Sequence, residues 1–202
     1  MHPHQLVRSL GLALLCCCVL PAFGNIVLVQ FNSGWKYLDN GSNQGTAWRA
    51  SSFPAESSWV TDFGEFGYGD GDERTVVSYG PNASAKYITT YFRKSFSLAN
   101  AAAFSSYQLQ FRRDDGLVVY VNGVEVTRSN MPTGTIGYTT LASTNISGTG
   151  GSAVNTVSIS SSFFQTGVNV IAVEVHQAAA NSGDVTFDLK LVGVDAGPSL
   201  TR

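Results

Sequence analysis

The residues best suited to chemistry lie in a glycine-rich acidic segment, residues 63–73 (FGEFGYGDGDE). Asp70, Asp72 and Glu73 in this segment offer carboxylate oxygens, the hard ligands that calcium prefers. Asp39 begins a second oxygen-rich loop, DNGSNQGTAW. Neither spacing matches an EF-hand loop, and acids in such loops can also serve only to solvate turns. The sequence therefore predicts a structural calcium site in these loops, with turn solvation as the alternative.

Aromatic and planar polar side chains in or near loops form a second set with chemical potential. Sugar faces stack on aromatic rings, and sugar hydroxyls take paired hydrogen bonds from planar polar groups. The candidate ligand-binding residues are Trp35, Trp48, Trp59, Tyr68, Arg128, Asn130, His176 and Gln177. For any single tryptophan, packing in the core or at its rim is the competing interpretation.

Nucleophilic catalysis is disfavoured by the composition. Once an N-terminal export signal is removed, His176 is the last histidine and no cysteine remains. A Cys–His pair is then excluded, and a zinc site would need most of its ligands from carboxylates. His176 ends a predicted strand and no nucleophile-elbow motif is present. We expect this histidine to hydrogen-bond loop backbone rather than to act in a triad.

Paired carboxylates are the remaining catalytic arrangement, as in glycosidases. Asp114 and Glu174 could form such a pair. Asp114 and its neighbour Asp115 are explained more simply as turn formers before Gly116, or as partners of nearby arginines. We therefore predict that the chain is not an enzyme.

An N-terminal segment with the features of a secretory signal peptide occupies residues 1–24. Arg8 precedes an apolar run over residues 10–20, and small residues lead to a cleavage position after Gly24. The run is too short to span a membrane comfortably. We therefore predict a secreted, extracellular protein.

The chain left by that cleavage is predicted to be one domain, residues 25–195, with a flexible tail at residues 196–202. The full sequence has 12 Lys and Arg against 14 Asp and Glu, which argues against nucleic-acid binding and against attraction to an anionic membrane. We expect no membrane insertion after cleavage. All three cysteines leave with the signal, so the core or a bound metal must stabilise the domain without disulfides.

The elements that must position these residues are strands. Leu109 and Phe111 alternate with polar residues, the period-2 pattern of a strand with one buried face. The segment 107–128 reads as strand, turn, strand, turn, strand, with Asn122-Gly123 as a strong hairpin signal. Further strand patterns lie at residues 25–31, 34–38, 88–98, 154–159, 168–177 and 186–194. The fold class predicted is all-β, an antiparallel two-sheet β-sandwich of jelly-roll type.

Several motifs together resemble a known group of domains. YFRKSF, YVNG and GVNVIAVEV resemble the sugar-binding jelly-roll domain of β-galactosidase-type glycoside hydrolases, within the galactose-binding-domain-like group. GWKYLD, FGYGDGD and RRDDGLVVYVNGVEVTRSNMP are similar to accessory modules of secreted bacterial multidomain proteins. This resemblance implies the sandwich fold and a non-catalytic accessory role, and jelly rolls of this group often hold a structural calcium.

The function predicted is non-catalytic binding of extracellular carbohydrate. The alternative is a structural or adhesive protein of an extracellular matrix or cell surface, without a sugar site and with protein partners. A glycosidase-like enzyme is the third and least favoured hypothesis.

Overall fold

The computed structural model describes residues 24–54 and 58–197. These residues form strands joined by loops and short 3-10 turns. The strands are β1 (Ile26–Val29), β2 (Gly34–Leu38), β3 (Val60–Phe63), β4 (Phe66–Tyr68), β5 (Thr75–Val76), β6 (Thr89–Leu98), β7 (Phe104–Asp114), β8 (Gly116–Val121), β9 (Val124–Ser129), β10 (Asn155–Ser160), β11 (Gly167–His176) and β12 (Val185–Asp195).

The strands form two sheets, so the predicted all-β sandwich is confirmed. The first sheet has the order β10-β7-β12-β4-β5, with β1 also paired to β12. The second sheet has the order β3-β2-β6-β11-β8-β9. Pairing is antiparallel except between β4 and β5.

The space between the sheets holds the main core. Phe92 of the second sheet lies 4.3 Å, ring centroid to centroid, from Phe187 of the first, and Phe66 packs 5.2 Å from Phe92. Leu109 and Leu189 are fully buried beside them. These side chains alternate with outward-facing residues along each strand, which is the pattern from which the strands were predicted.

The predicted hairpin at Asn122-Gly123 is confirmed, because β8 and β9 pair with Val121 opposite Val124. The predicted turn at residues 114–116, in contrast, does not make a hairpin. β7 pairs with β10 and β12 in the first sheet, whereas β8 pairs with β11 and β9 in the second. The chain therefore crosses between sheets at this turn, and Phe111 before it and Leu117 after it fill the same core from opposite sides.

A second, smaller core covers the outer face of the second sheet. Trp48 and Trp59 from the loops pack there with ring centroids 6.3 Å apart, and Trp48 lies 4.8 Å from Tyr91 of β6. Val118 and Tyr120 of β8 belong to the same cluster. β8 is thus buried on both faces, which explains why its sequence is apolar without alternation.

The acidic segment 63–73, treated as a loop from its sequence, includes the end of β3 and all of β4. A short 3-10 turn, Ala101–Ala103, precedes β7. No helix in the described part of the chain is long and apolar enough to cross a membrane. Residues 1–23 of the predicted signal peptide and residues 198–202 of the predicted tail lie outside the described residues.

Candidate functional site

An open cleft of about 340 Å³ lies on the outer face of the second sheet, beside the second core. Its floor comes from three neighbouring strands, because Lys36 of β2 stands opposite Arg93 of β6, and Ser95 of β6 stands opposite Val170 of β11. The loop after β2 supplies one wall. The other residues that line the cleft are Gly34, Trp35, Ser51, Phe53, Thr61, Lys94 and Val168.

The cleft is cationic. Arg93 is 6% exposed, and its guanidinium donates hydrogen bonds to the backbone carbonyls of Trp48 and Ala50. Burial lowers the pKa of this guanidinium because it disfavours the charged form. Among the described residues, no carboxylate forms an ion pair with Arg93 that would offset this effect. Lys36 lies directly across the strand pair from Arg93, so two positive side chains share one face. None of the described residues that line the cleft is acidic.

Phe53 forms the aromatic part of the wall. Its half-buried ring lies 6.3 Å from the ring of Trp59 in an edge-on arrangement, and the Arg93 guanidinium lies 5.2 Å from the ring centroid. Ser51, Thr61 and Ser95 place hydroxyl groups around the same space. The cleft therefore combines an apolar ring, hydroxyls and hydrogen-bond donors, the groups that proteins use to hold sugars.

The four aromatic candidates named from the sequence are dispersed and buried. Trp35 is 1% exposed in the main core, although it also borders the cleft. Trp48 and Trp59 are 0% and 5% exposed in the second core. Tyr68 is 7% exposed in the main core, and burial raises the pKa of its hydroxyl. The structure does not bring the four rings together on one surface.

The polar candidates are engaged within the protein. The Arg128 guanidinium makes a paired contact with the Glu125 carboxylate, at 2.6 and 2.9 Å. Asn130 donates to the backbone carbonyls of Asp115 and Thr144, at 3.1 and 2.6 Å, and so ties the loop after β9 to the sheet crossing. Gln177 is buried and donates to the Tyr68 hydroxyl at 2.5 Å.

His176 is fully buried at the end of β11. Its Nδ1 lies 2.8 Å from the backbone carbonyl of Thr140, the loop contact that the sequence predicted. Its Nε2 lies 3.5 Å from the carboxylate of Glu174. Glu174 in turn accepts hydrogen bonds from Arg49 at 3.1 Å and from the Tyr120 hydroxyl at 2.6 Å. This buried cluster connects the loop after β2 to the second sheet.

The acidic candidates are brought together in part. Ligand oxygens of Asp70, Asp72 and Glu73 all lie within 4.8 Å of one another. The Glu73 carboxylate also accepts hydrogen bonds from the backbone N–H groups of Asp70 and Gly71, at 2.8 and 3.0 Å. Asp39 is not a member of this cluster, and its carboxylate accepts from the backbone N–H of Ser78 at 2.6 Å.

The cluster borders a second pocket, of about 240 Å³, that Glu65, Asp70, Asp72, Gly148 and Ser152 line. Glu65 is paired with Arg112 of β7 at 3.0 Å. Among the described residues, the lining of this pocket has three carboxylates and no arginine or lysine, so it is chemically suited to a cation with oxygen ligands, the class to which calcium belongs.

Asp114 and Asp115 differ sharply in their surroundings. Asp115 is fully buried and accepts hydrogen bonds from the backbone N–H groups of Ile146 and Ala178, both at 2.7 Å. Asp114 is 1% exposed, and neither of its oxygens has a hydrogen-bond donor within reach among the described residues. Burial, and secondarily the neighbouring Asp115 carboxylate, raises the pKa of Asp114 to about 8. Asp114 and Glu174 lie in different sheets, so they do not form a glycosidase pair.

Of the residues that line the cleft, only Trp35 was a candidate from the sequence; the others were missed, above all Phe53, Arg93 and Ser95. The alternation in YFRKSF does place Arg93 and Ser95 on the face opposite the buried Phe92. The alternation in YFRKSF does not indicate that a loop from earlier in the chain forms a wall beside that face. Asp114 was assigned to turn formation, because a local motif does not reveal whether a carboxylate will find a donor.

No protein-family model matches this chain, and no curated protein matches it. Among solved structures the chain is similar to the β-glucuronidase of Ruminococcus gnavus. In its complex with D-glucaro 1,5-lactone the TM-score is 0.51 at 13% identity, with 84% of this chain and 29% of that chain covered. In its complex with C6-substituted uronic isofagomine the TM-score is 0.50 with the same identity and the same coverage. The chain spans less than a third of these enzymes, and at such low identity the similarity shows the β-sandwich fold.

Proposed function

We propose that this chain is a secreted, non-catalytic module of galactose-binding-like type that binds extracellular carbohydrate in the cleft on the outer face of the second sheet. The observation that carries this proposal is the composition of the cleft. The Phe53 ring provides an apolar surface, Ser51 and Ser95 provide hydroxyls, and Lys36 provides an ammonium donor. Arg93 holds the loop wall in place through the carbonyls of Trp48 and Ala50. Sugar recognition needs this combination, since a pyranose has one apolar face and a rim of hydroxyls.

The rigidity of the cleft supports the same function. Arg93 is fixed by two carbonyls of the loop, and the loop is itself fixed by the contact of Arg49 with Glu174. A ligand would therefore meet a largely preformed surface, which reduces the entropy lost on binding. The similarity in fold to glycoside hydrolases agrees with a sugar-related role and carries no information on the ligand.

A non-catalytic role is supported by the chemistry of the cleft lining. Glycoside hydrolysis in most families needs two carboxyl groups across the scissile bond. The described residues around the cleft offer hydroxyls, three cations and apolar groups, with no such pair. Binding without turnover is the activity that these groups can perform.

The test is a glycan array followed by polysaccharide pull-down with the full chain, in calcium-containing buffer. Phe53→Ala should weaken binding of any glycan captured by the wild type by about 2- to 10-fold, the worth of one aromatic contact. Tyr79→Ala is the matched control, because Tyr79 is an exposed ring that packs on Tyr68 of the first sheet. We expect this control to bind like the wild type.

Two results would overturn the proposal. One is an array and pull-down without any captured glycan. The other is equal affinity in Phe53→Ala and the wild type, which would place the ligand elsewhere. Self-association or capture of a matrix protein together with a blank array would favour the structural or adhesive alternative.

A further inference from the structure

The cleft on the second sheet carries positive charge in a chain that is slightly acidic overall. The sequence has a formal net charge of -2, yet Lys36, Arg93 and Lys94 all line this one cleft. No acid is among the described residues that line it. The cleft is therefore a local region of positive potential, which attracts anionic ligands.

Two of the three cations are held by partners that carry no charge. Arg93 donates to the backbone carbonyls of Trp48 and Ala50, and the Lys94 ammonium donates to the backbone carbonyl of Gly34 at 2.6 Å. A carbonyl accepts the hydrogen bond but does not neutralise the cation. Burial lowers the pKa of both groups, because their charged forms lose solvation and gain no ion pair from the described residues.

Lys36 is the cation of the cleft that is free to meet a ligand. Its half-buried side chain belongs to β2, with Thr61 of β3 opposite it on one side and Arg93 of β6 on the other. Among the described residues, no hydrogen bond, ion pair or ring contact engages its ammonium group. An ammonium without a counter-ion, next to two further cations that are not neutralised, favours an anion as its partner.

The free ammonium lies near the aromatic wall of the cleft. The Arg93 guanidinium is 5.2 Å from the centroid of the Phe53 ring, and Lys36 stands directly across the strand pair from Arg93. Residues opposite each other in antiparallel strands have Cβ atoms about 4.5–5.5 Å apart. Phe53 and Lys36 therefore flank one side chain, and a single ligand can contact both.

We propose that the carbohydrate bound in this cleft is acidic, with its anionic group on Lys36 and an apolar face of its ring on Phe53. This inference rests on the carbohydrate-binding function proposed above. The carboxylate of a uronic acid and a sulfate ester share the required chemistry, since both present charged oxygen atoms that accept hydrogen bonds from an ammonium group. A neutral sugar leaves the charge of the cleft uncompensated, so the cleft discriminates in favour of the acidic sugar.

The experiment compares acidic polysaccharides with neutral forms of the same backbone, with the full chain as the binding protein. Polygalacturonate against its carboxyl-reduced form tests a carboxylate, and dextran sulfate against dextran tests a sulfate. At least one acidic polymer should bind about 10-fold or more tightly than its neutral form, and its identity distinguishes the two anionic groups. Raising NaCl from about 50 to 500 mM should reduce this preference, because salt screens the attraction.

Lys36→Gln removes the proposed ionic contact. It should weaken binding of the preferred acidic polymer by about 5- to 10-fold, the low end for a charge-assisted hydrogen bond at a half-buried site. Binding of the neutral form should not change, and Lys36→Arg should keep the preference for the acidic form. Because Lys36 has no partner among the described residues, the unfolding curve of Lys36→Gln should match that of the wild type.

Lys190→Gln is the matched control. Lys190 is also a half-buried lysine on a strand and also has no ion pair among the described residues, but it belongs to β12 of the first sheet. It changes the net charge by the same amount, so it measures any general attraction of a polyanion to the protein. We expect this variant to bind both polymers like the wild type.

Three results would overturn the inference: neither acidic polymer binds more tightly than its neutral form, Lys36→Gln binds the acidic polymer like the wild type, or Lys190→Gln loses as much affinity as Lys36→Gln. The fate of the proposed function is decided separately. Binding of a neutral glycan that Phe53→Ala weakens would leave carbohydrate binding in place and remove only the acidic preference. A protein that binds no glycan at all would remove both.

Discussion

The buried contact between Arg49 and Glu174 should determine whether the loop that forms the cleft wall stays in place. Arg49 belongs to the 3-10 turn Ala47–Arg49, a few residues before Phe53. Its guanidinium lies 3.1 Å from Glu174, which is 1% exposed, and 4.2 Å from the centroid of the Tyr120 ring. Arg49→Met removes the charge and keeps much of the apolar stem. We expect this single change to lower both stability and ligand affinity.

The size of the expected loss in stability follows from the burial of Glu174. Removing one member of a buried ion pair costs about 3–5 kcal/mol, because the other charge is left uncompensated. Arg49 is 16% exposed on its side chain, and Glu174 keeps the Tyr120 hydroxyl, so the low end applies. We therefore expect a loss of about 3 kcal/mol in the free energy of unfolding, a fall in Tm of about 6–12 °C for a domain of this size.

The assay is urea unfolding of Arg49→Met, Glu174→Gln and the double variant. Because the double variant leaves no uncompensated carboxylate, it should be less destabilised than the sum of the single variants, with a coupling of about 1.5–3 kcal/mol. Arg128→Met provides the control, since the Arg128–Glu125 pair is 27% and 33% exposed and should be worth only about 0–1 kcal/mol. The reasoning would be refuted if Arg49→Met lost no more free energy of unfolding than the control and if the effects of the two single variants were additive.

Two further changes test the first sheet. Gly67→Ala would place a Cβ atom 2.0 Å from the backbone carbonyl of Val185, so β4 must separate from β12, and urea unfolding should show a loss of more than about 2 kcal/mol; wild-type stability would contradict this. Burial raises the pKa of Asp188 to about 6, above its unfolded value of about 3.9, so the native state binds this proton more tightly. The contribution of Asp188 to the free energy of unfolding is then fully present below about pH 4. It is lost as the pH rises through about 6, by up to about 3 kcal/mol. Measured in EDTA, the stability of Asp188→Asn relative to the wild type should rise over that interval, and a constant difference would show that the group titrates normally.

The strands were predictable because their signal is local. The β2 strand, Gly34–Leu38, has the predicted bounds, and β6 begins one residue later than expected. The sheet crossing at residues 114–116 was not predictable, because Asp-Asp-Gly permits a sharp change of direction whichever strand follows. Which strand becomes the neighbour depends on the apolar faces of distant segments. β7 pairs with β12, some 70 residues further along the chain, because both strands place leucine and phenylalanine side chains on their inward faces.

The candidate sites were predictable to different degrees for a related reason. Asp70, Asp72 and Glu73 are adjacent in sequence, so their proximity needed no tertiary information. The tryptophans Trp48 and Trp59 lie in loops, and a loop position favours exposure in any argument from sequence. Here the loops fold back on the second sheet and build a core of their own, which buries both rings. The residues that remain accessible, such as Phe53, are those at the edge of that core.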